Sequence, residues 1–441
     1  MDKKTSPFQI GLLAVFLVLG LVGIIIFALT SSAGKSDDIG DVRLWGTFDQ
    51  RIVDSFLHEQ GTENRNLANV QYSEVAPEKF YDQLAQAIAS DRGPDLIITD
   101  QAHIEKYKGT IKPITYENIS ARQFKDAFID ATDVLTTPEG YLGIPIAVDP
   151  LMLYWNREIF AQNNIAQPPK YWDDLFSIAE KVTVKDDVGN ITTSGVALGE
   201  PENVAHSKDV LSLMVMQAGG DVIVRTATGQ LDARLGKADA QGLSPAQSAL
   251  RYYSEFSNPS KKIYSWNKSM PNSLEAFVAG DLAIYLGTAS ELNTIEEKNP
   301  NLSFDIAQIP QIRGGGTKDV RTITAGTLYV LAIPKTSKNP GGALTIAYAL
   351  TTGDASKLWE KKLRIPSPQR ALLVSDPKNA LASTSREAAL RIRLWPDPEP
   401  EKTQDILYRM VERVSSGADR LSESVQRADA ELKILLRDIG Q

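Results

Sequence analysis

Asp49, Glu74, Asp100 and Asp149 each stand at the end of a short apolar run, beside other polar side chains: Thr47 before Asp49, Ser73 before Glu74, Gln101 after Asp100. Single carboxylates and hydroxyls at strand ends suit hydrogen bonding to a polar solute. With Trp155, Trp266, Thr288, Ser290 and Gly326 added, Thr47, Asp49, Glu74, Asp100 and Asp149 make up the candidate ligand-contacting set. Catalytic chemistry finds less support. Histidine occurs only at 58, 103 and 206, without metal-ligand spacing, and no HExxH, GxSxG or nucleotide fingerprint is present. The absence of cysteine removes thiol nucleophiles, disulfides, thiolate metal sites and lipidated cysteine. No catalytic residue, metal or cofactor is therefore expected. Asp186-Asp187-Val188-Gly189-Asn190 lacks the alternating carboxylates and closing glutamate of a calcium loop and is read as a turn. Gly314-Gly315-Gly316-Thr317-Lys318 lacks P-loop spacing and is read as a surface loop.

The elements that must hold these groups follow an α/β pattern. Val42 to Trp45 reads as a strand, Ile52, Val53, Phe56 and Leu57 as one helix face, and Val70 to Tyr72 as a second strand. Pro77 opens a helix carrying Phe80, Leu84 and Ile88, Gly93-Pro94 ends it, and Leu96 to Thr99 is a buried strand, which predicts a parallel sheet. Ligands in such sheets bind beyond the carboxyl ends of the strands, which selects Thr47, Asp49, Glu74 and Asp100. Two bland alternatives stand beside that reading: Asp49 as a helix N-cap and Glu74 as a solvated charge. Ile144 to Val148 and Leu151 to Trp155 are apolar runs separated by Asp149-Pro150, read as the first crossing between two lobes that could clamp a ligand.

At 441 residues, with 42% hydrophobic and 23% charged residues, the chain suits two domains with sizeable cores. A net charge of -8 argues against nucleic acid as a partner. Residues 10–29 are an uncharged apolar run long enough to span a bilayer, and Lys3 and Lys4 place residues 1–9 in the cytoplasm and the body outside. The competing reading is secretion after cleavage near Ser31-Ser32-Ala33. Residues 30–40 form a polar linker.

Five segments carry a resemblance: Gly93-Pro94-Asp95-Leu96-Ile97; Gly143-Ile144-Pro145 with Tyr154-Trp155-Asn156-Arg157-Glu158; Pro168-Pro169-Lys170-Tyr171-Trp172-Asp173-Asp174-Leu175; Phe277 to Ile284; and Gly326 to Pro334. In this order they resemble landmarks of the family 1 extracellular solute-binding proteins, the maltose-binding-protein type. The resemblance covers nearly everything after Gly40 and implies a two-lobed periplasmic-binding-protein type II fold with a hinged cleft. It also implies a small-molecule solute, possible carbohydrate binding, and delivery to the permease subunits of an ABC importer by a monomer. The lobes are expected at 41–148 with 327–364, and at 149–326 with 365–441.

The second lobe departs from the sugar-binding pattern. In the maltose-binding type the turn before the helix near Leu292 supplies a stacking aromatic where this chain has Ser290, and Ser212 stands where that type has tryptophan. Stacking on a sugar would then come from Trp45, Trp155 or Trp266. Trp266 is equally open to local packing. Ala325-Gly326 is read as the second hinge, within a strand pair over Thr322 to Ile333, and Arg364 to Gln369 as the third. The stripe of Leu421, Val425, Leu432, Leu436 and Ile439 is read as core packing rather than a coiled coil. Two further readings remain open: an extracytoplasmic hydrolase using Asp149 with another cleft acid, and a ligand-sensing lobe for a signalling partner.

Overall fold

The computed structural model describes residues 39–238, 242, 244–314, 322–375 and 379–439. The apolar run at 10–29, most of the linker and the glycine-rich loop from Gly315 lie outside these residues. Among the described residues no helix is long and apolar enough to cross a membrane.

The first strands are β1 (Val42–Gly46), β2 (Val70–Glu74) and β3 (Leu96–Asp100), with helices α1 (Gln50–Gly61) and α2 (Phe80–Ala89) between them and α3 (Gln101–Lys106) following β3. β1 lies between β2 and β3 and runs parallel to both. The helices form because their apolar residues recur on one face: α1 buries Val53, Phe56 and Leu57, and Phe56 stacks on Trp359 with centroids 3.7 Å apart. The sheet is not purely parallel, however. β8 (Gly326–Ala332) returns late in the sequence and runs antiparallel beside β3, as one strand rather than the expected pair.

The strand that joins the two halves is β4, Ile144–Asn156, unbroken despite Pro150. Its first part pairs with β8, from Leu331↔Ile144 to Gly326↔Pro150. From Leu151 onward it pairs instead with β6 (Leu282–Thr288) on one side and β7 (Phe304–Gln308) on the other. The proline does not interrupt the strand because its carbonyl still accepts a hydrogen bond from Ala289 (3.0 Å), while the Leu151 amide donates to Ala325 (2.8 Å). Glycine is required at 326, since a Cβ there would lie 2.5 Å from the Asp149 carbonyl oxygen. A third pass runs beside these two, where Val148 donates to the Pro366 carbonyl and Ile129 to that of Pro368. Beyond β6 the sheet continues through the parallel strand β5 (Ile191–Val196) to a short edge at Val184–Lys185.

Helices cover this second part: α4 (Ser207–Gln217), α5 (Pro245–Ser254), α6 (Glu291–Lys298), and, after α7 (Gly353–Leu363) on the first part, α8 (Pro400–Ser415) and α9 (Leu421–Ile439). The C-terminal stripe packs into this core. Val425, Ala428, Leu432 and Leu435 are buried among residues of α4, α5 and α8, with Leu421 and Leu436 partly covered and Ile439 exposed.

Candidate functional site

A cavity of about 330 Å³ opens beyond the carboxyl ends of β1 and β3, where the chemistry of a parallel sheet places ligands. Thr47, Asp100 and Gly326 line it, as do Tyr81 from α2, Tyr329 from β8 and Trp395 from the loop before α8. The opposite wall comes from Lys208 and Asp209 on α4 and from Arg393 and Asp397 on that loop.

The walls are held by charge and ring contacts. Asp100 caps α3, its Oδ1 accepting from Ala102 (3.0 Å) and His103 (2.9 Å), while Oδ2 lies 2.6 Å from the His103 Nδ1. Tyr81 stacks between His103 and Tyr107, at centroid distances of 4.3 and 4.4 Å, and its hydroxyl meets the Thr99 Oγ1. Burial and then Asp100 raise the Tyr81 phenol well above its ordinary range, so it stays a neutral donor. On the other wall, Lys208 pairs with buried Asp397 and sits 5.5 Å from the centroid of Trp395. Burial raises the Asp397 carboxyl, with Lys208 opposing it.

Beside the cavity, α3 is also joined by ion pairs to the start of α8 and to Arg225. Lys106 pairs with Glu401 (2.7 Å) and Glu399 (3.2 Å), His103 Nε2 lies 3.4 Å from Glu401, and buried Glu105 pairs with Arg225. Burial alone would lower the His103 pKa, but Asp100 and Glu401 outweigh it and raise it; the Glu401 carboxyl is held at about 2, burial being outweighed by Lys106. The His103 contribution is therefore full below the ordinary imidazole value near 6.5 and fades as pH rises through the raised one, whereas that of Glu401 fades only as pH falls toward about 2. Glu401 is 62% exposed, so Glu401→Gln is expected to change stability by less than about 1 kcal/mol. Its effect falls on opening: small-angle scattering of the unliganded chain should give a larger radius of gyration for the variant, and identical curves would show that these pairs do not hold the mouth closed.

The remaining predicted residues lie elsewhere. Asp49 caps α1 through the Arg51 amide (2.8 Å) and pairs with the Arg51 side chain, and Glu74 accepts from the Gln50 amide (2.7 Å). Asp49 is thus a helix cap, while Glu74, though exposed, is not simply solvated but tied to the start of α1. Asp149 does not reach the cavity. Its carboxylate, 2% exposed, accepts from the Ser290 amide at 2.9 Å, so the helix start expected to hold a ligand is occupied from within. Thr288 and Ser290 share a hydroxyl contact of 3.1 Å there, and the Thr288 amide donates to Glu291 (2.9 Å). Glu291 also binds Tyr285 and His206; although burial opposes charge on the imidazole, Asp209 and Glu291 raise its pKa to about 10. Trp155 packs on Phe160 at 4.9 Å, outside the cavity lining. Trp266 is fully buried, its Nε1 donating to Asn203 Oδ1 (2.9 Å). Asp186 accepts from the amides of Val188 and Asn190, closing its turn.

Sequence reasoning passed over Tyr81 and Trp395. The signal for Trp395 was a tryptophan in a loop stiffened by Pro396 and Pro398.

The family model described as bacterial extracellular solute-binding protein matches residues 52–381. The chain belongs to that family. This solute-binding protein is 25% identical over 309 residues to a protein of Brucella abortus (strain 2308) described as a binding protein, covering 66% of this chain and 67% of the relative. Its fold is that of a cyclo/maltodextrin-binding protein complexed with maltotetraose (TM-score 0.71, 18% identity, 91% of this chain and 99% of that one). It is also that of the cyclic alpha-maltosyl-1,6-maltose binding protein from Arthrobacter globiformis (TM-score 0.72, 16% identity, 90% and 99%). An ABC transporter solute-binding protein from Thermotoga lettingae, bound with alpha-D-tagatose, superposes at a TM-score of 0.64, with 18% identity over 90% of this chain and all of that one. The solute-binding protein thus has the two-lobed α/β architecture of these structures, and the cavity described above lies between its β1–β3 sheet and the α4–α8 side.

Proposed function

We propose that this solute-binding protein closes on a short carbohydrate in the cavity and delivers it, as a monomer tethered by residues 10–29, to the permease subunits of an ABC importer. The lobes of that clamp are residues 41–148 with 327–364, and 149–326 with 365–441. The observation that carries the reading is the presence of rings and hydrogen-bonding groups around one cavity: Tyr329 and Trp395, with Thr47, Asp209 and Arg393 beside them. Aromatic faces suit the apolar CH faces of a sugar ring, and fixed polar groups select its hydroxyls. The structural neighbours named above hold maltotetraose and tagatose, which supports the same class here. A volume of about 330 Å³ sits at the low end of small-ligand pockets, roughly 300–1,000 Å³, favouring a short sugar.

Hydrolysis is disfavoured by the state of the carboxylates. Asp100 is engaged by α3 and His103, Asp397 by Lys208 and Thr403, and Asp149 by Ser290, so a facing acid and base are not free to act.

The test is a thermal-shift screen against sugars, oligosaccharides, amino acids, peptides and polyamines. A ligand at 100 times its Kd adds about 2.7 kcal/mol of stability. The expected hit is a mono- or oligosaccharide recovered unchanged after long incubation. Turnover, or binding confined to other classes, would overturn the reading. With the hit in hand, Trp395→Ala should weaken affinity by roughly fivefold, the loss of about 1 kcal/mol of ring stacking, by isothermal titration. Trp155→Ala, outside the cavity, should leave affinity unchanged.

A further inference from the structure

A second cavity, of about 530 Å³, lies apart from the first, lined by Glu200, Ser257, Lys268 and the α8 residues Arg409, Glu412 and Arg413. Glu200 follows β5, and its backbone carbonyl accepts from the Tyr253 hydroxyl (3.3 Å). The Glu200 side chain is only 7% exposed as a residue, and its Oε2 is buried without a hydrogen-bond partner among the described residues. Arg413 on the same cavity gives Nη2 to Glu431 (2.7 Å), while its Nη1 is also buried without an acceptor. Lys268, also on this cavity, is bonded to Glu412 at 2.8 Å. Buried polar groups are almost always partnered, and a buried charge needs a counter-charge. An unmet carboxylate oxygen and an unmet guanidinium N–H on residues of one cavity therefore call for a partner carrying both a donor and an acceptor. The space far exceeds the roughly 30 Å³ of a single water.

We propose that this second cavity binds a small zwitterion of the α-amino-acid class, its ammonium on Glu200 and its carboxylate on Arg413. A polyol would supply hydrogen bonds, but an ammonium also brings the Glu200 carboxylate a counter-charge, and a carboxylate is the stronger acceptor for the Arg413 N–H left over from its pair with Glu431. Burial holds the Glu200 carboxyl above its ordinary range, with Lys268 opposing, and a bound ammonium would draw it back down. The site uses no residue of the carbohydrate cavity, so the proposal stands whether or not that cavity takes sugar.

The test titrates individual common L-amino acids into the full chain, read by saturation-transfer NMR and thermal unfolding, with Glu200→Leu, Glu200→Gln and Trp395→Ala as variants. At least one amino acid is expected to bind the wild type and Trp395→Ala with equal affinity. Binding should vanish in Glu200→Leu, while the unliganded melting temperature of that variant stays level or rises because an unpartnered carboxylate has gone. Glu200→Gln, which keeps the shape and removes the charge, should weaken binding by roughly tenfold or more. The proposal is overturned if no amino acid binds the wild type, if affinity is unchanged in the Glu200 variants, or if affinity falls in Trp395→Ala, which would assign the binding to the first cavity.

Discussion

Replacing Trp266 with alanine is expected to lower the stability of the protein by about 3–5 kcal/mol while leaving the affinity of the folded protein for its solute unchanged. The ring is fully buried, and its loss leaves a void that the surroundings can only partly fill. It also strips a partner from Asn203, whose Oδ1 accepts the indole proton and whose amide donates to the carbonyls of Asn267 and Met270. That amide ties down the 267–270 loop, so cavity and lost hydrogen bond act together. Urea denaturation measures the first effect and isothermal titration the second. The opposite pattern, a large loss of affinity at undiminished stability, would show that the indole contacts solute.

Asp149→Asn should do the reverse and stabilise the protein at neutral pH. Burial raises the Asp149 carboxyl to about 6, the hydrogen bonds from Ser290 and Thr288 offsetting only part of the rise. A folded-state value above the unfolded one, about 3.9, means that the folded chain holds this proton more tightly. The residue therefore favours folding most at low pH, loses that contribution as pH rises from about 4 to about 6, and carries the full penalty above. Two units correspond to about 3 kcal/mol, an upper figure for the gain. Asparagine keeps an oxygen for the Ser290 amide at 2.9 Å without the charge. Stability measured by urea between pH 4 and pH 8 should show a wild-type deficit relative to the variant that grows through this window. A difference independent of pH would rule the explanation out. Asp149 stands where β4 changes its partners from β8 to β6 and β7.

What the sequence disclosed and what it hid divide along physical lines. Periodicity located β1, α1, β2 and β3, because each buries one face or run against a neighbour close in sequence. The crossing at Asp149-Pro150 was legible too, since a proline between two apolar runs marks a change of partner. Local rules also foresaw Asp49 as a cap. They could not separate ring from ring. Trp266 and Trp395 both stand in polar loops rich in turn residues, yet one is buried on Asn203 and the other lines the cavity. That outcome depends on contacts 63 residues apart in one case and 187 in the other, as for Lys208 over Trp395, and no local pattern records them. The same holds for Ser290, which reads as an open helix start until β4 brings Asp149 against it. Tyr81 was hidden for a different reason. It neighbours Phe80 on α2, whose burial dominates the apolar pattern, while Tyr81 turns to stack on His103 and Tyr107.

The shared strand β4 bears on how the chain is made. β3 and the first part of β4 acquire the partner between them only when Gly326–Ala332 arrives, long after both have left the ribosome. Until then two apolar strand edges stand open, a non-local closure that slows folding and exposes pairing surface to other chains. A chain still being synthesised therefore cannot complete this sheet until Gly326–Ala332 has been added.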